Sequence, residues 1–305
     1  MPQIDANDIK IETEVHGDPS GTPVLLIMGL AAQLTHWPPA MIGALTNAGY
    51  RVITFDNRDI GLSQKLHSKR APRPAVHAFL SQVFGFRKLA PYTLEDMAKD
   101  TVGVLDAYDV EKAHVIGVSM GGMIGQVMAA KYPDRLLSFA PVMSSTNHPR
   151  LPKADPAIIR EIFTVRTQPR SREDLIDRSV ALWNLIGTPD GGHDPEEFRA
   201  RLAAAVDRST YPAGIRRQIA AIIASGDLRR YARKITAPTL VVHGSIDPLA
   251  PMQGGLDIAA TTPGASAKII DGMGHDLPPR HLNEINELLI GHMKASEETQ
   301  AARAA

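Results

Sequence analysis

A stretch of twenty residues limits the possible folds more strongly than any other part of this chain. It runs from His114 to Pro133 and reads HVIGVSMGGMIGQVMAAKYP. Its first residues form a β-branched apolar run, which is typical of a strand, and its second half has the pattern of a helix. Ser119 lies at the junction, with Gly117 two residues before it and Gly121 two residues after it. Side chains at the glycine positions would collide across so sharp a bend, so the pattern predicts a strained turn that exposes the serine.

Strand-like and helical patterns alternate along the rest of the sequence. The predicted strands cover residues 9–15, 23–29, 50–56, 114–119, 136–144, 238–244 and 267–271. The predicted helices cover residues 38–48, 93–108, 122–133 and 282–293. Strands separated by helices imply a mostly parallel central sheet with right-handed crossovers and flanking helices. We therefore predict an α/β fold in which the carboxyl ends of the strands share one edge of the sheet.

Two long segments interrupt this alternation. Residues 64–92 mix proline, arginine and aromatic residues, and loops of such length are usually functional or disordered. Residues 145–235 contain helical patterns and many arginines but no convincing strand, which predicts a small helical cap. The predicted division is a core of residues 1–144 that includes the entrance insert 64–92, then the cap, then the rest of the core in residues 236–305. The tail ASEETQAARAA is expected to be frayed.

Composition excludes several classes of protein. The 305 residues carry equal numbers of basic and acidic side chains, so the charge balance gives no sign of a nucleic-acid partner. The absence of cysteine excludes disulfides and thiolate chemistry. The first residues do not form a secretory signal, and no apolar run approaches the roughly 18 residues of a membrane helix. We expect a soluble, cytoplasmic protein, and no pattern indicates a particular oligomeric state.

The bend at Ser119 has the spacing of a catalytic nucleophile, because a serine hydroxyl needs a base, and the base needs an orienting acid. Asp247 follows the predicted strand 238–244, and His275 follows the last predicted strand. Parallel strands end at the same edge, so the three side chains are expected to converge there. The order Ser, Asp, His along the chain is that of a known hydrolase triad.

Other polar residues compete for these roles. Asp271 is close to His275 in sequence but ends a strand, so a turn role is favoured over the role of triad acid. His243 is expected to be structural, and His36 could line the entrance. Turn chemistry and charge pairing explain the segment DNRDIGLS, residues 56–63, better than catalysis does. No cluster has the spacing of a metal site, and no glycine pattern indicates nucleotide binding.

Three segments carry a resemblance to a known family: LLIMGLAAQLTHWP, FDNRDIGLS and GVSMGG. With them, the chain resembles the α/β-hydrolase-fold serine hydrolases over nearly its whole length apart from the two insertions. Within that superfamily it resembles an esterase group that includes aclacinomycin methylesterase-like proteins. The resemblance implies an α/β-hydrolase fold, with a mostly parallel sheet flanked by helices and a helical cap insertion.

The resemblance also implies a role for each site residue. Ser119 is expected to be the nucleophile, His275 the general base and then acid, and Asp247 the orienting carboxylate. An oxyanion hole is expected from the backbone N–H groups of Leu30 and Met120.

One departure from the family pattern concerns this oxyanion loop. Many relatives have His-Gly before the oxyanion residue, whereas this chain has Met28-Gly29. The donor is a backbone N–H, so the hole should persist, but its side-chain support must differ.

These residues predict hydrolysis of a small, apolar carboxylic ester through an acyl-enzyme on Ser119, with no cofactor and no metal. The same triad also serves thioesters, lactones, amides, carbon–carbon bonds and cofactor-free perhydrolysis. A non-enzyme alternative is a small-molecule receptor on the same fold.

Substrate selection is assigned to the two inserted segments and to Ser144. The apolar side chains placed near the entrance are Phe79, Phe84, Phe86, Leu182, Trp183 and Leu185, of which Phe84 and Trp183 are the chosen binding residues. The alternative is that these six residues form the cap's own small core. The cap arginines are interpreted as solvated helix faces rather than as receptors for a carboxylate.

Overall fold

A central sheet forms the middle layer of the protein. The structure, a computed structural model, describes residues 3–67, 90–167 and 171–304, and only the backbone of residues 162–167, 303 and 304. The strands are β1 (Gln3–Ala6), β2 (Ile9–His16), β3 (Thr22–Ile27), β4 (Tyr50–Phe55), β5 (Ala113–Val118), β6 (Leu136–Val142), β7 (Leu240–Gly244) and β8 (Ser266–Ile270). Within these ranges they form an eight-stranded sheet in the order β1-β2-β4-β3-β5-β6-β7-β8. Strands β3 to β8 are parallel, and β1 and β2 pair in the antiparallel sense at one edge.

Helices cover both faces of this sheet. They are α1 (Pro39–Asn47), α2 (Leu94–Ala107), α3 (Met120–Lys131), α9 (Gln253–Thr261) and α10 (Pro279–Ala304). Thr93 and Asp96 form a reciprocal capping box at the start of α2, as their spacing indicates. No helix among the described residues is both long and apolar enough to span a lipid bilayer.

The inner strands are buried on both faces, which explains their continuous apolar sequences. Along β3, Leu25 and Ile27 join the apolar cluster on one side of the sheet, while Val24 and Leu26 join the cluster on the other side. All four side chains are fully buried. The predicted α/β architecture therefore rests on two cores, one for each layer of helices.

The described residues between β6 and β7 form five further helices, in what we call the helical insertion, residues 145–235. They are α4 (Pro156–Thr167), α5 (Arg172–Ile186), α6 (Pro195–Arg208), α7 (Pro212–Ser225) and α8 (Arg229–Ala232). Asp194 caps α6 by accepting hydrogen bonds from the backbone N–H groups of Glu196 and Glu197. A small apolar cluster of Ile158, Leu182 and Ile186 packs inside the insertion.

The loop after β4 fastens the helical insertion to the sheet. Both carboxylate oxygens of Asp59 accept hydrogen bonds from the guanidinium of Arg217 on α7, at 2.7 and 2.8 Å. Asp56 accepts a hydrogen bond from Arg208 of α6 at 2.6 Å, and another from the backbone N–H of Leu34. The segment DNRDIGLS thus supplies the turn and the charge pairs expected of it, and the arginine partners of its two aspartates lie on the insertion.

The carboxyl terminus differs from the prediction. The tail was expected to be frayed, but α10 continues to Ala304. The carboxylate of Glu297 lies 3.0 Å from the imidazole Nε2 of buried His114, and the amide of Gln300 donates to the carbonyl of Leu137. These two polar contacts with the sheet therefore stabilise the last turns of α10. The sequence of the tail is only weakly apolar, so it did not predict a packed helix. Strand β1 and helix α9 were also missed.

Candidate active site

Ser119 occupies a strained bend between β5 and α3. Its φ of 55° lies in the left-handed region, which residues other than glycine rarely adopt. A side chain at Gly117 would clash with the backbone of Gly121 and Gly122, and one at Gly121 would clash with the carbonyl of Ile27. The glycines are therefore required by close backbone approach, and the bend holds the serine side chain at the edge of the sheet.

A hydrogen-bonded chain joins three of the predicted site residues. With the ring proton of His275 on Nδ1, that nitrogen donates to Asp247 Oδ2 at 2.7 Å. The hydroxyl of Ser119 then donates to His275 Nε2 at 3.0 Å. Ser119 follows β5, Asp247 follows β7 and His275 follows β8, so the three residues come from the carboxyl ends of parallel strands. The arrangement can transfer a proton from the hydroxyl to the imidazole.

Asp247 is held as a carboxylate by four neighbours. Its Oδ1 accepts hydrogen bonds from the backbone N–H groups of Leu249 and Ala250, at 2.9 and 2.7 Å. Its Oδ2 faces His275 and lies 3.3 Å from Nε2 of His243. Burial alone would raise the pKa of Asp247, but the charge of His275 and the hydrogen bonds from both histidines lower it well below its ordinary value. The carboxylate therefore remains ionised at neutral pH and can stabilise an imidazolium.

The loop that carries His275 is bonded to the end of α5. The backbone N–H of His275 donates to the carbonyl of Ile186 at 2.8 Å, and that of Gly274 donates to the hydroxyl of Thr188 at 2.9 Å. The carboxylate of Asp276 accepts hydrogen bonds from both the backbone N–H and the hydroxyl of Thr188. The helical insertion thus fixes the position of the imidazole.

The two predicted oxyanion donors belong to residues close to the serine. Met120 is the first residue of α3, so its N–H has no partner within the helix. Leu30 lines the cavity next to Ser119. A Cβ added at Gly29 would lie 3.2 Å from Cβ of Ser119, so the loop after β3 passes directly against the serine.

The support for this loop explains how Met28-Gly29 can replace the more common His-Gly. The side-chain amide of Asn57 donates to the carbonyl of Met28 at 2.9 Å. The backbone N–H of Ala31 donates to the side-chain carbonyl of Gln218 at 3.0 Å. The loop is therefore held by one hydrogen bond from the DNRDIGLS segment and by another to α7.

A cavity opens over Ser119 between the sheet edge and the helical insertion. Its space, including the open mouth, is about 1010 Å³. Apolar side chains dominate its walls: Met28, Leu30, Val118, Met143, Leu182, Trp183, Ile186, Phe198, Leu202, Leu249 and Leu277. An apolar cavity with a few polar groups at one end is typical of a small-molecule site.

The predicted lining residues divide into three groups. Leu182 and Trp183 line the cavity, and both also contact the insertion's own apolar cluster. Leu185 is largely exposed and Ser144 is buried behind the bend, where its hydroxyl donates to the carbonyl of Ser119 at 2.8 Å. Neither of them is among the residues that line the cavity. Phe79, Phe84 and Phe86 lie outside the described residues.

The competing polar residues lie where the sequence suggested. Asp271 is exposed and accepts a hydrogen bond from the hydroxyl of Ser245, as a turn residue does. His243 is fully buried, and its Nε2 donates to the carbonyl of Ala250 at 2.7 Å. His36 lines the cavity.

Sequence reasoning missed five lining residues of the helical insertion. They are Ile186, His193, Phe198, Arg201 and Leu202. The last three are spaced three and four residues apart, so they share one face of α6. That spacing was visible in the sequence, but it did not show which neighbour the face would meet.

Comparison with known proteins places this geometry in a family. The chain is 29% identical to a rhodomycin D methylesterase of a Streptomyces species, over 96% of this chain and 98% of that protein. It is 28% identical to a rhodomycin D methylesterase of Streptomyces peucetius, over 95% and 97% respectively. Among solved structures, the enol-lactonase from Burkholderia xenovorans superposes with a TM-score of 0.74 at 22% identity, over 96% of this chain and all of that one.

These likenesses confirm the predicted fold and the predicted resemblance to a methylesterase group. The α/β hydrolase fold family matches residues 22–280, which is most of the sequence. The chain belongs to the α/β hydrolase fold family.

Proposed function

We propose that this protein cleaves carboxylic esters through an acyl-enzyme formed on Ser119. The observation that carries the proposal is the hydrogen-bonded chain from Ser119 through His275 to Asp247, which lies at an apolar cavity. The two methylesterase relatives, which match nearly the full length of the chain, support an ester as the substrate.

The first half of the reaction forms the acyl-enzyme. The hydroxyl oxygen of Ser119 attacks the carbonyl carbon of the ester, and its proton passes to Nε2 of His275. Asp247 holds the ring in the tautomer that leaves Nε2 free, and it stabilises the imidazolium that results. His275 then gives the proton to the departing alcohol as the carbon–oxygen bond breaks.

The oxyanion that develops on the carbonyl oxygen is bound by the N–H groups of Leu30 and Met120. Removal of one such donor costs about 3–4 kcal/mol of transition-state stabilisation in comparable enzymes. In the second half of the reaction, His275 takes a proton from water, and the resulting hydroxide attacks the acyl carbon. The acid product leaves, and Ser119 regains its proton.

The helical insertion, residues 145–235, acts as a cap in this proposal, between the core segments 1–144 and 236–305. Its position over Ser119 limits the access of water to the acyl-enzyme. Trp183 and Leu182 contact the substrate from this side. Phe84 remains the binding residue proposed for the entrance insert 64–92. Ser144, in contrast, supports the bend from behind rather than contacting the substrate.

The test combines an activity panel with a chemical probe. The panel is a set of p-nitrophenyl esters of increasing acyl length, and the probe is a serine-directed phosphonate. We expect turnover of the esters and a phosphonate adduct that mass spectrometry assigns to the peptide containing Ser119. Ser119→Ala should lower kcat by at least about 10⁴-fold because triad residues act as a unit. Ser144→Ala is the matched control and should remain active.

Each other outcome contradicts part of the proposal. Labelling of Ser119 without turnover of any ester would indicate a different acyl substrate, such as a thioester or a lactone. Neither labelling nor turnover would indicate a small-molecule receptor. An adduct on Ser144 or Ser145 would exclude Ser119 as the nucleophile.

A further inference from the structure

Arg201 brings a charged group into an otherwise apolar cavity. It lies on α6 and lines the space above Ser119 and His275. Phe198 and Leu202 share its face of the helix and line the same cavity. The guanidinium carbon of Arg201 lies 5.5 Å from the centre of the Phe198 ring, so the aromatic face supports the cation from one side.

Within the part of the chain that the structure describes, no carboxylate pairs with Arg201. Among the described residues, none lies within ion-pairing distance of its guanidinium, and burial lowers the pKa of this group without an opposing charge. Residues 68–89, 162–167 and 168–170 contain no aspartate or glutamate. The sequence outside the described side chains therefore cannot supply the missing partner from these segments either.

Asp276 is the one acidic side chain among the described residues that line the cavity, and it already has partners. Asp276 accepts two hydrogen bonds from Thr188 and lies 3.6 Å from Nε2 of His193. Other arginines of the same helix have acidic partners: Arg199 pairs with Glu173 and Asp177. Arg199 thus pairs with acidic residues of α5, whereas Arg201 faces the cavity and pairs with no described carboxylate.

An unpaired, partly desolvated guanidinium is unfavourable unless a ligand neutralises it. We infer that Arg201 binds a carboxylate carried by the substrate, so that the preferred esters have an apolar body and one acidic group. This inference rests on the proposed esterase function and specifies its substrate class.

The chemistry favours a carboxylate over a phosphate. A guanidinium presents a planar pair of donors that matches the two oxygens of a carboxylate. Arg201 is the only lysine or arginine among the described residues that line the cavity, so a single negative charge balances the site. A phosphate monoester would bring a charge near −2 into walls that are mostly hydrocarbon.

The experiment compares esters that differ in one charge. Monomethyl esters of succinic, adipic and suberic acid are paired with neutral methyl esters of equal chain length. Hydrolysis is followed by NMR with the wild-type protein and with Arg201→Met, Arg201→Lys and Arg199→Met. The last variant is the matched control, because Arg199 is exposed on the same helix.

We expect the wild-type protein to favour the acidic ester of the best chain length in kcat/KM. Arg201→Met should reduce that preference by about tenfold to a hundredfold, the usual value of a hydrogen bond to a charged group. It should raise KM for the acidic ester by more than it raises KM for the neutral ester of equal chain length. Arg201→Lys should retain part of the preference, and Arg199→Met should retain all of it.

An equal ratio of acidic to neutral kcat/KM in the wild type and in Arg201→Met would overturn the inference. If no ester is hydrolysed, the proposed function fails instead, and calorimetry then tests Arg201 alone. Monomethyl adipate should bind the wild-type protein at least about tenfold more tightly than Arg201→Met, and equal affinities would exclude the carboxylate site.

Discussion

Two buried polar clusters follow the carboxyl ends of two strands that lie far apart in the sheet, and each is centred on an aspartate. Asp247, after β7, faces the imidazole of His275 and, beyond it, Ser119. Asp59, after β4, faces the guanidinium of Arg217 through two hydrogen bonds. Both carboxylates are almost completely buried.

The difference between the clusters is the partner, and it decides what each can do. An imidazole can accept a proton at one nitrogen and release it again, so the pair of Asp247 and His275 can move a proton between reacting atoms. A guanidinium does not release its proton in a protein, so the pair of Asp59 and Arg217 can only hold two elements together. An aspartate after a strand end thus takes part in proton transfer at Asp247, whereas at Asp59 it attaches the helical insertion.

The largest effect is expected from a substitution in the cluster of Asp247 and His275, which moves a proton. Asp247→Asn should lower kcat by about 10⁴-fold because the amide favours the wrong tautomer of His275. The steady-state rate with the best p-nitrophenyl ester measures this change. Asp271→Asn is the matched control, since Asp271 contacts Ser245 at the surface, and its kcat should stay close to that of the wild type. The reverse ranking of these variants would mean that Asp247 is not the orienting acid.

The second prediction concerns a substitution in the cluster of Asp59 and Arg217, which attaches the helical insertion to the sheet. Asp59→Ala removes the carboxylate that neutralises the buried guanidinium of Arg217, which should lower the free energy of unfolding by about 3–5 kcal/mol. Urea unfolding followed by circular dichroism measures this loss. The double variant Asp59→Ala/Arg217→Met should recover most of it, because the buried positive charge is removed as well. A single variant as stable as the wild type would contradict the role of this pair in attaching the insertion.

The third prediction concerns the helical insertion, which the Asp59–Arg217 pair attaches and which covers the cavity at Ser119. Trp183 belongs to the attached insertion and lines the cavity. Trp183→Ala should change the ratio of kcat/KM between long and short acyl esters by about tenfold, since one buried methylene contributes roughly 1–3 kcal/mol to discrimination. An unchanged chain-length profile with a lower Tm would instead assign Trp183 to packing within the insertion.

Patterns with short-range causes were predictable from the sequence. The bend at Ser119 requires glycines within three residues of the serine, so it is visible as a motif. The convergence of Asp247 and His275 follows from the common direction of parallel strands. The buried strands were visible because burial on both faces demands continuous apolar runs.

Features that depend on a distant partner were not predictable. The last turns of α10 are held by His114 and Leu137, more than 160 residues earlier in the chain. Arg201 and Arg199 have the same side chain and lie two residues apart, yet one faces the cavity and the other faces Glu173 and Asp177. The surroundings of these two arginines differ only because of how α6 packs against the rest of the protein, and no local sequence pattern predicts that packing.

The hydrogen bonds between the His275 loop and the end of α5 limit how the helical insertion can be exchanged for another segment. Ile186 and Thr188 hold the backbone on both sides of the imidazole, so the insertion is not an independent module that can be exchanged at will. A chimera that receives another helical segment between β6 and β7 would need matching acceptors and donors at these two positions. Without them, the His275 loop would lose the hydrogen bonds that attach it to the end of α5.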